Sequence, residues 1–218
     1  MKLFELKDKI LPEQYSILEK EIDELRPVQE KAIKAGLFEG KNLLVCAPTA
    51  SGKTMIAEWA FSNALKVRKK SIYIVPLKAL AREKYKEFSR YPYRVAISVG
   101  MEEETNEISN LLNKDIIICT AEKLDSLIRH NIEWLRNVGV IVFDEIHLLN
   151  DETRGPTLEI LITLLRTLVN AQIIALSATI GNPEELAEWL DAELVKDNTR
   201  PVPLKQGFYS DQKLIFVE

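Results

Sequence analysis

The sequence predicts an α/β fold: a doubly wound, mainly parallel sheet with helices on both of its faces. Six short runs of apolar, often β-branched residues recur along the chain, and segments with helical periodicity lie between them. Within each run the apolar positions are continuous rather than alternating, which is typical of strands covered on both faces. Strands that alternate with helices form right-handed crossovers in a parallel sheet. We therefore expect the functional residues in loops at the carboxyl ends of the strands.

The predicted elements alternate along the chain as such a sheet requires. Strands are predicted at residues 42–47, 71–76, 94–99, 115–120, 138–144 and 172–178. Helices are predicted at residues 53–66, 78–89, 121–129 and 156–168, where apolar residues recur at intervals of three and four. In the last helix this stripe consists of Leu158, Leu161, Leu165 and Leu168. A stripe of this kind indicates a helix that packs one face on the sheet.

The two end segments differ from this body. Residues 13–38 have the pattern of two helices that are separated just before Pro27. Residues 201–218 begin with two closely spaced prolines and continue with two apolar stretches around Ser210. We therefore expect one domain over residues 1–200, followed by an extended exit and a hairpin over residues 201–218.

The composition excludes several classes of protein. With 218 residues, 46% of them hydrophobic and 28% charged, the chain is neither disordered nor fibrous. Its net charge of −4 argues against coating nucleic acid by bulk charge and leaves room only for a local basic groove. No apolar run approaches the ~20 residues of a membrane helix. The N-terminus lacks a secretory pattern, so we expect a cytoplasmic protein without a membrane partner. Cys46 and Cys119 are expected to be buried free thiols.

The segment APTASGKT at residues 47–54 indicates a phosphate-binding loop. It follows the first predicted strand and precedes a predicted helix, which is the context that such a loop requires. Lys53 is expected to reach the terminal phosphates of a nucleotide, and the Thr54 hydroxyl to coordinate Mg²⁺. A chance GKT at a helix start is the alternative, and the flanking elements argue against it. The predicted nucleotide-binding residues of the loop are Ala47, Pro48, Thr49, Ala50, Ser51, Gly52, Lys53 and Thr54.

The fifth predicted strand ends in DEIH at residues 144–147. Asp144 is predicted to hold Mg²⁺, and Glu145 to orient and deprotonate an attacking water molecule. A small-molecule kinase would need an acceptor pocket instead of a glutamate that activates water. The tetrapeptide alone is also compatible with an ordinary acidic loop, but its strand and its distance from the phosphate loop favour hydrolysis. The predicted catalytic residues are Lys53, Asp144, Glu145 and His147.

Six motifs in order make the chain similar to a known family. They are LRPVQ (25–29), APTASGKT (47–54), VPLKALA (75–81), TAEKL (120–124), DEIH (144–147) and SAT (177–179). With them the chain resembles the superfamily 2 DExH-box helicases of the Ski-like branch, and especially their archaeal DNA repair and replication-fork members. The resemblance implies a RecA-like P-loop ATPase domain over residues 1–200. The chain departs from the family pattern at Ala47, at Ala121, where proline is usual, and at Met101, where an acidic residue is common.

The resemblance also implies roles for residues outside the two central motifs. Gln29 would pair with the adenine edge and favour ATP, and either Phe4 or Tyr15 would stack on the adenine. Ser177 and Thr179 would couple the nucleotide state to the rest of the domain, or alternatively only cap the following turn. A single strand of nucleic acid would be held through its phosphates, without regard to base sequence, by Pro76, Lys78, Arg82, Gly100, Thr120, Glu122 and Lys123.

The function implied by the resemblance is that of the motor domain of an ATP-dependent 3′–5′ DNA helicase, which uses ATP and Mg²⁺. Its partners would be single-stranded or branched DNA and a second RecA-like domain that supplies arginine fingers. No motif for such fingers follows Thr179, so we expect the second domain to be missing from this chain. Two alternatives stay open. One is an RNA helicase of the same branch, and the other is a nucleotide-binding module that is inactive without a partner domain.

Overall fold

A parallel sheet forms the centre of the fold. The computed structural model describes residues 1–100, 110–199, 206–210 and 213–217. The strands of the sheet are β1 (Leu43–Cys46), β2 (Lys70–Ile74), β3 (Val95–Ser98), β4 (Ile116–Cys119), β5 (Val138–Phe143), β6 (Gln172–Ser177) and β7 (Glu193–Lys196). Within the described residues their order is β3-β4-β2-β5-β6-β1-β7, and all neighbours are parallel. The predicted fold class is confirmed.

The helices cover both faces of this sheet. They are α1 (Pro12–Leu18), α2 (Pro27–Lys34), α3 (Lys53–Lys66), α4 (Lys78–Phe88), α5 (Ala121–His130), α6 (Gly155–Leu168) and α7 (Pro183–Leu190). Short 3₁₀ helices span Leu3–Leu6, Glu133–Asn137 and Ile146–Asn150. Prolines begin α1, α2 and α7, because proline has the helical φ and lacks only an N–H that the first turn does not use. None of the described helices combines the length and the apolar character that crossing a membrane would take.

Two apolar cores lie on opposite faces of the sheet. Successive side chains of a strand point to opposite faces, so in β1 Val45 joins the core under α3, whereas Leu44 joins the core under α6. Trp59 and Phe61 of α3 anchor the first core, and Leu161 of α6 is buried in the second. Because both faces are covered, the inner strands are buried throughout, apart from the partly exposed Gly139 of β5. This explains the continuous apolar runs in the sequence.

The structure adds two elements that the sequence did not predict. α7 and β7 lie at residues 183–190 and 193–196. Among the described residues β7 is an edge strand that pairs only with β1, and its Glu193 and Lys196 are exposed. A charged, half-exposed strand of four residues gives no apolar run to detect.

The C-terminal residues form the predicted hairpin. β8 (Gln206–Ser210) and β9 (Lys213–Val217) pair antiparallel. The turn residues Asp211 and Gln212, and the exit at residues 200–205, lie outside the described residues. The domain boundary at residue 200 stays a prediction.

The N-terminal segment is attached to α3 through buried polar groups. The Gln14 amide nitrogen donates to the Glu58 carbonyl at 3.0 Å, and the Ser62 hydroxyl donates to Gln14 Oε1 at 2.8 Å. The Glu58 carboxylate is itself fully buried and accepts hydrogen bonds from Arg90 Nη2 at 2.8 Å and from the Tyr91 hydroxyl at 2.6 Å. The helix that follows the phosphate loop is therefore fixed to its surroundings by hydrogen bonds to the buried Glu58 carboxyl group.

Candidate nucleotide site and nucleic-acid face

The loop between β1 and α3 has the backbone of a phosphate-binding loop. Gly52 has a φ of +96° and directly precedes the first residue of α3. A Cβ at this position would lie 2.6 Å from Gln29 Nε2, so both the backbone and the neighbouring side chain require glycine. Ala50 also has a positive φ, of 60°. Ala47, where the usual motif has glycine, does not have a positive φ, and the alanine is accommodated without backbone strain.

Lys53 holds the loop in its curved shape. Its ammonium donates to the carbonyl oxygens of Ala47 at 2.6 Å and Pro48 at 2.9 Å. Burial lowers the pKa of Lys53, and the carboxylates of Glu145 and Asp144 oppose that shift. Lys53 of the loop thus interacts electrostatically with Asp144 and Glu145 of the DEIH motif.

The N-terminal end of α2 supports the same loop from the side. Gln29 is 4% exposed, and its Oε1 accepts the Arg26 N–H at 2.8 Å while its Nε2 donates to the Gly52 carbonyl at 3.2 Å. The Arg26 guanidinium donates to the Ala50 carbonyl. One amide hydrogen of Gln29 has no partner in these bonds, and the contact with adenine stays a prediction.

A single cavity of about 450 Å³ collects most of the predicted nucleotide residues, which is a usual size for a ligand site. Its lining includes Gln29, Thr49, Ala50, Gly52, Lys53, Thr54, Asp144 and Glu145. Neither candidate for adenine stacking lines it. Phe4 is 64% exposed, and Tyr15 is partly buried with the Lys7 ammonium 5.9 Å from its ring centre. The choice between the two aromatic residues stays open.

Asp144 directly follows β5 and lines this cavity. Its N–H donates to the Ile74 carbonyl at 2.9 Å and thereby continues the ladder by one residue. The Tyr73 hydroxyl donates to Asp144 Oδ2 at 2.8 Å. Burial raises the pKa of Asp144, whereas the hydrogen bond from Tyr73 and the charge of Lys84 lower it.

The residues at this point fit a magnesium ion. The two predicted metal ligands, Thr54 and Asp144, line the same cavity. A hydroxyl and a carboxylate are hard oxygen ligands, and Mg²⁺ in nucleotide sites takes few protein ligands besides phosphates and water. The described residues contain no cluster of three or more His, Cys, Asp or Glu side chains that could hold a metal. The buried Ser51 Oγ lies in the same loop and has no hydrogen-bond partner within the described part of the chain.

Glu145 and His147 lie on a tight turn after the strand. Glu145 has a φ of +54° and its N–H donates to Asp144 Oδ1 at 3.1 Å. The turn continues as the 3₁₀ helix Ile146–Asn150, which brings His147 Nδ1 to 3.3 Å from Glu145 Oε2. His147 Nδ1 is nevertheless buried without a hydrogen-bond partner among the described residues, so the role of His147 beside Glu145 stays a prediction.

The start of α6 packs directly against this turn. A Cβ at Gly155 would lie 2.2 Å from the Leu149 carbonyl oxygen. Only glycine lets the two backbones approach so closely. The sequence analysis did not single out this glycine, because the neighbouring carbonyl is visible only in three dimensions.

The SAT segment begins beside the phosphate loop. Ser177 pairs with Cys46 in the register of β6 and β1, and its carbonyl accepts the Ala47 N–H at 3.2 Å. Its hydroxyl is fully buried and has no hydrogen-bond partner among the residues described. Thr179 is exposed. Ser177 is thus adjacent to the loop, and the coupling role of both residues stays a prediction.

The predicted nucleic-acid residues lie at the carboxyl ends of the neighbouring strands. Lys78 is exposed at the start of α4, and its ammonium is 3.6 Å from the place that a Cβ on Gly100 would take. Gly100 has a φ of +109°. Two separate predicted motifs therefore meet at one point. Arg82 lies exposed one turn further along α4, and Met101 lies outside the described residues.

The TAEKL segment is more buried than the resemblance suggested. Thr120 caps α5, and its hydroxyl accepts the Lys123 N–H at 3.4 Å. Lys123 is only 5% exposed, so a phosphate contact would require its ammonium to leave the interior. Glu122 is exposed, and with Pro76 it lines a small cavity that also touches Asp144. The nucleic-acid contacts stay predictions.

Comparison with known proteins agrees with this geometry. The DEAD/DEAH box helicase family matches residues 26–186, which is more than half of the chain. The chain belongs to the DEAD/DEAH box helicase family. The ATP-dependent DNA helicase Hel308 of Methanocaldococcus jannaschii is 55% identical over 207 residues, which are 90% of this chain and 17% of that protein. The protein of the same name from Pyrococcus abyssi is 53% identical over 195 residues, which are 88% of this chain and 27% of that protein.

A solved structure supports the fold of this DEAD/DEAH box helicase domain. The helicase Lhr of Mycobacterium smegmatis, bound to single-stranded DNA and AMP-PNP, has a TM-score of 0.72 and 28% identity. The similarity covers 86% of this chain and 27% of that chain. The RecA-like helicase fold implied by the motifs is therefore confirmed, and family membership implies the use of ATP.

Two residues of the DEAD/DEAH box site were missed by the sequence analysis. The Tyr73 hydroxyl donates to Asp144 Oδ2 at 2.8 Å, and the Lys84 ammonium donates to Thr54 Oγ1 at 2.9 Å. Each gave a weak signal in the sequence. Tyr73 is a polar-tipped residue within an apolar strand, and Lys84 falls on the buried face of α4 with Ala81 and Phe88.

Proposed function

We propose that this chain is the ATP-binding motor domain of an ATP-dependent 3′–5′ DNA helicase. The observation that carries the proposal is the single cavity of about 450 Å³ that brings Lys53 and Thr54 of the phosphate loop together with Asp144 and Glu145. The relatives named ATP-dependent DNA helicase support the DNA substrate. The chain spans 17 to 27% of the length of these relatives, so the activity of a whole helicase is part of the proposal.

The nucleotide chemistry follows from residues that line one cavity. Lys53 would exchange its bonds to the loop carbonyls for the terminal phosphates of ATP, which are stronger charged acceptors. Glu145 would accept a proton from the attacking water, with His147 3.3 Å away to orient the carboxylate. Mg²⁺ bound by Thr54 and Asp144 would supply positive charge to the phosphates.

The single strand would run along the exposed start of α4. Lys78 and Arg82 offer positive charge there, and Gly100 lies next to the Lys78 ammonium. Contacts of this kind bind phosphates and carry no sequence information. They do not distinguish DNA from RNA either, so binding competition between matched DNA and RNA strands separates the two.

Productive hydrolysis would require a second RecA-like domain. Charge develops on the γ-phosphoryl oxygens in the transition state, and an arginine finger that stabilises this charge is worth about 10³ to 10⁵ in rate. The proposal assigns that arginine to the second domain. When the two domains close and open around ATP, the strand-binding site of one domain would then move relative to that of the other.

Nucleotide binding by this chain tests the proposal first. Calorimetry with ATP and Mg²⁺ is expected to show binding by the wild type and a loss of at least tenfold in affinity for Lys53→Ala, because a charged phosphate contact is lost. Lys86→Ala is the control, since Lys86 is an exposed lysine that lies on α4 and does not line the cavity. Equal ATP affinity of Lys53→Ala and wild type would remove the basis of the nucleotide site.

A further inference from the structure

Lys84 places a positive charge at the predicted magnesium site, although it belongs to none of the recognised motifs. α4 buries Ala81, Lys84 and Phe88 at helical spacing, so the lysine lies on the face that packs against the sheet. It is only 8% exposed. A lysine in such a position needs partners for its charge. It has two, because its ammonium donates to Thr54 Oγ1 and to Glu87 Oε2, both at 2.9 Å.

Thr54 and Asp144 line the same cavity as Lys84. The Thr54 oxygen accepts a hydrogen bond from the Lys84 ammonium at 2.9 Å, and Asp144 Oδ2 accepts one from the Tyr73 hydroxyl at 2.8 Å. A buried ammonium is thus hydrogen-bonded to one predicted metal ligand and lies in the same cavity as the other.

This arrangement bears on the charge of Asp144. Asp144 is held in a largely buried place at the end of β5, where an unpaired carboxylate is unfavourable. Burial raises the pKa of Asp144, and the charge of Lys84 lowers it. Lys84 thus opposes the effect of burial and favours the ionised form of Asp144.

We propose that Lys84 is the resident counter-cation of the magnesium site, a positioning residue that holds Thr54 and balances Asp144 until a divalent cation takes over that charge. The inference rests on the proposed function, since it assumes that Thr54 and Asp144 bind the metal of the nucleotide. If the Thr54 hydroxyl oxygen coordinated Mg²⁺, the metal ion would lie close to the Lys84 ammonium that is hydrogen-bonded to the same oxygen. Two positive charges repel strongly at such a distance. Lys84 then keeps Glu87 and releases Thr54.

Two substitutions are expected to act in opposite directions on the coupling between metal and nucleotide. Lys84→Met keeps most of the side-chain volume and removes the competing charge. The factor by which Mg²⁺ strengthens ADP binding, which is the ratio of the affinities with and without Mg²⁺, should therefore be about tenfold larger than in the wild type. Glu87→Gln removes the alternative partner of the ammonium, so the same factor should fall about threefold or more. Lys86→Met is the matched control, because this neighbouring lysine of α4 is exposed and should leave the factor unchanged.

The measurement is calorimetric titration of the chain with ADP, once with saturating Mg²⁺ and once with EDTA, and the ratio of the two affinities is compared among variants. A larger ratio for Lys84→Met together with a smaller ratio for Glu87→Gln supports the counter-cation. An unchanged or smaller ratio for Lys84→Met overturns it, because a lysine that only packs α4 would not change the metal dependence. If Lys84→Met does not fold, Glu87→Gln decides in the same way, since Glu87 is about one-third exposed. A wild type that binds ADP equally with and without Mg²⁺ instead contradicts the magnesium site of the proposed function.

Discussion

The buried carboxylate of Glu58 should give the domain a characteristic dependence of stability on pH. Burial raises its pKa to about 7 in the folded chain, and the neighbouring Arg90 and Tyr91 lower it without offsetting that effect. The ordinary pKa is 4.5, so the folded state binds this proton more tightly than the unfolded state does. The stabilisation is fully present below pH 4.5 and is lost as the pH rises through 7. At about 1.4 kcal/mol per unit of pKa, the loss amounts to ~3 kcal/mol.

Urea denaturation at pH 5 and at pH 7.5 measures most of this loss. The free energy of unfolding of the wild type should fall by about 2 kcal/mol more between these pH values than that of Glu58→Gln, which has no proton to lose. Glu21→Gln is the control, because Glu21 binds the same Arg90 from the surface and is 45% exposed. It should retain the wild-type dependence. Equal pH dependence of wild type and Glu58→Gln would show that the carboxylate does not titrate in this range.

Three further predictions concern the site and the partner domain. Gly155→Ala should destabilise the chain by ~1–3 kcal/mol in urea denaturation, because the new Cβ meets the Leu149 carbonyl, and unchanged stability would contradict this close approach. Lys78→Gln should weaken binding of single-stranded DNA equally across base sequences and lower the slope of log affinity against log salt concentration by ~1. The control Lys86→Gln should change neither the affinity nor the slope. A loss of affinity confined to some base sequences would argue against phosphate contacts. Residues 1–218 alone should hydrolyse ATP about 10³ to 10⁵ times more slowly than a version extended through a second RecA-like domain, and equal rates would refute the assignment of the arginine finger to that domain.

The central sheet was predictable because burial on both faces leaves a strong local signal. A strand such as β5 consists almost entirely of β-branched apolar residues, and the position of Asp144 after it locates the acid at the edge of the sheet. The phosphate loop was equally predictable, since a short strand, a glycine and a helix start are all local. β7 was missed because an edge strand of four residues with exposed Glu193 and Lys196 has no such pattern.

Contacts between distant elements were beyond the reach of sequence patterns. Tyr73 and Asp144 are 71 positions apart, and Lys84 and Thr54 are 30 apart, so neither hydrogen bond has a local signature. The burial of Lys123 is different, because it could have been inferred. Lys123 and Leu127 are one helical turn apart on the buried face of a strongly amphipathic α5. Here the motif resemblance implied a phosphate contact, which stays a prediction, whereas helix periodicity indicates that the residue is buried.

Asp144 lines both the cavity of the predicted nucleotide site and a small cavity beside two of the predicted nucleic-acid residues. Asp144 is hydrogen-bonded to Tyr73 on one side, and on the other it lines a small cavity together with Pro76 and Glu122. Tyr73 and Pro76 belong to the same strand and the loop that follows it. A change of charge at Asp144 therefore reaches the loop beneath the proposed DNA strand within one layer of side chains. The coupling expected of a motor domain then requires only that metal and phosphate alter the bonds of Asp144, and the counter-cation Lys84 determines how large that alteration is.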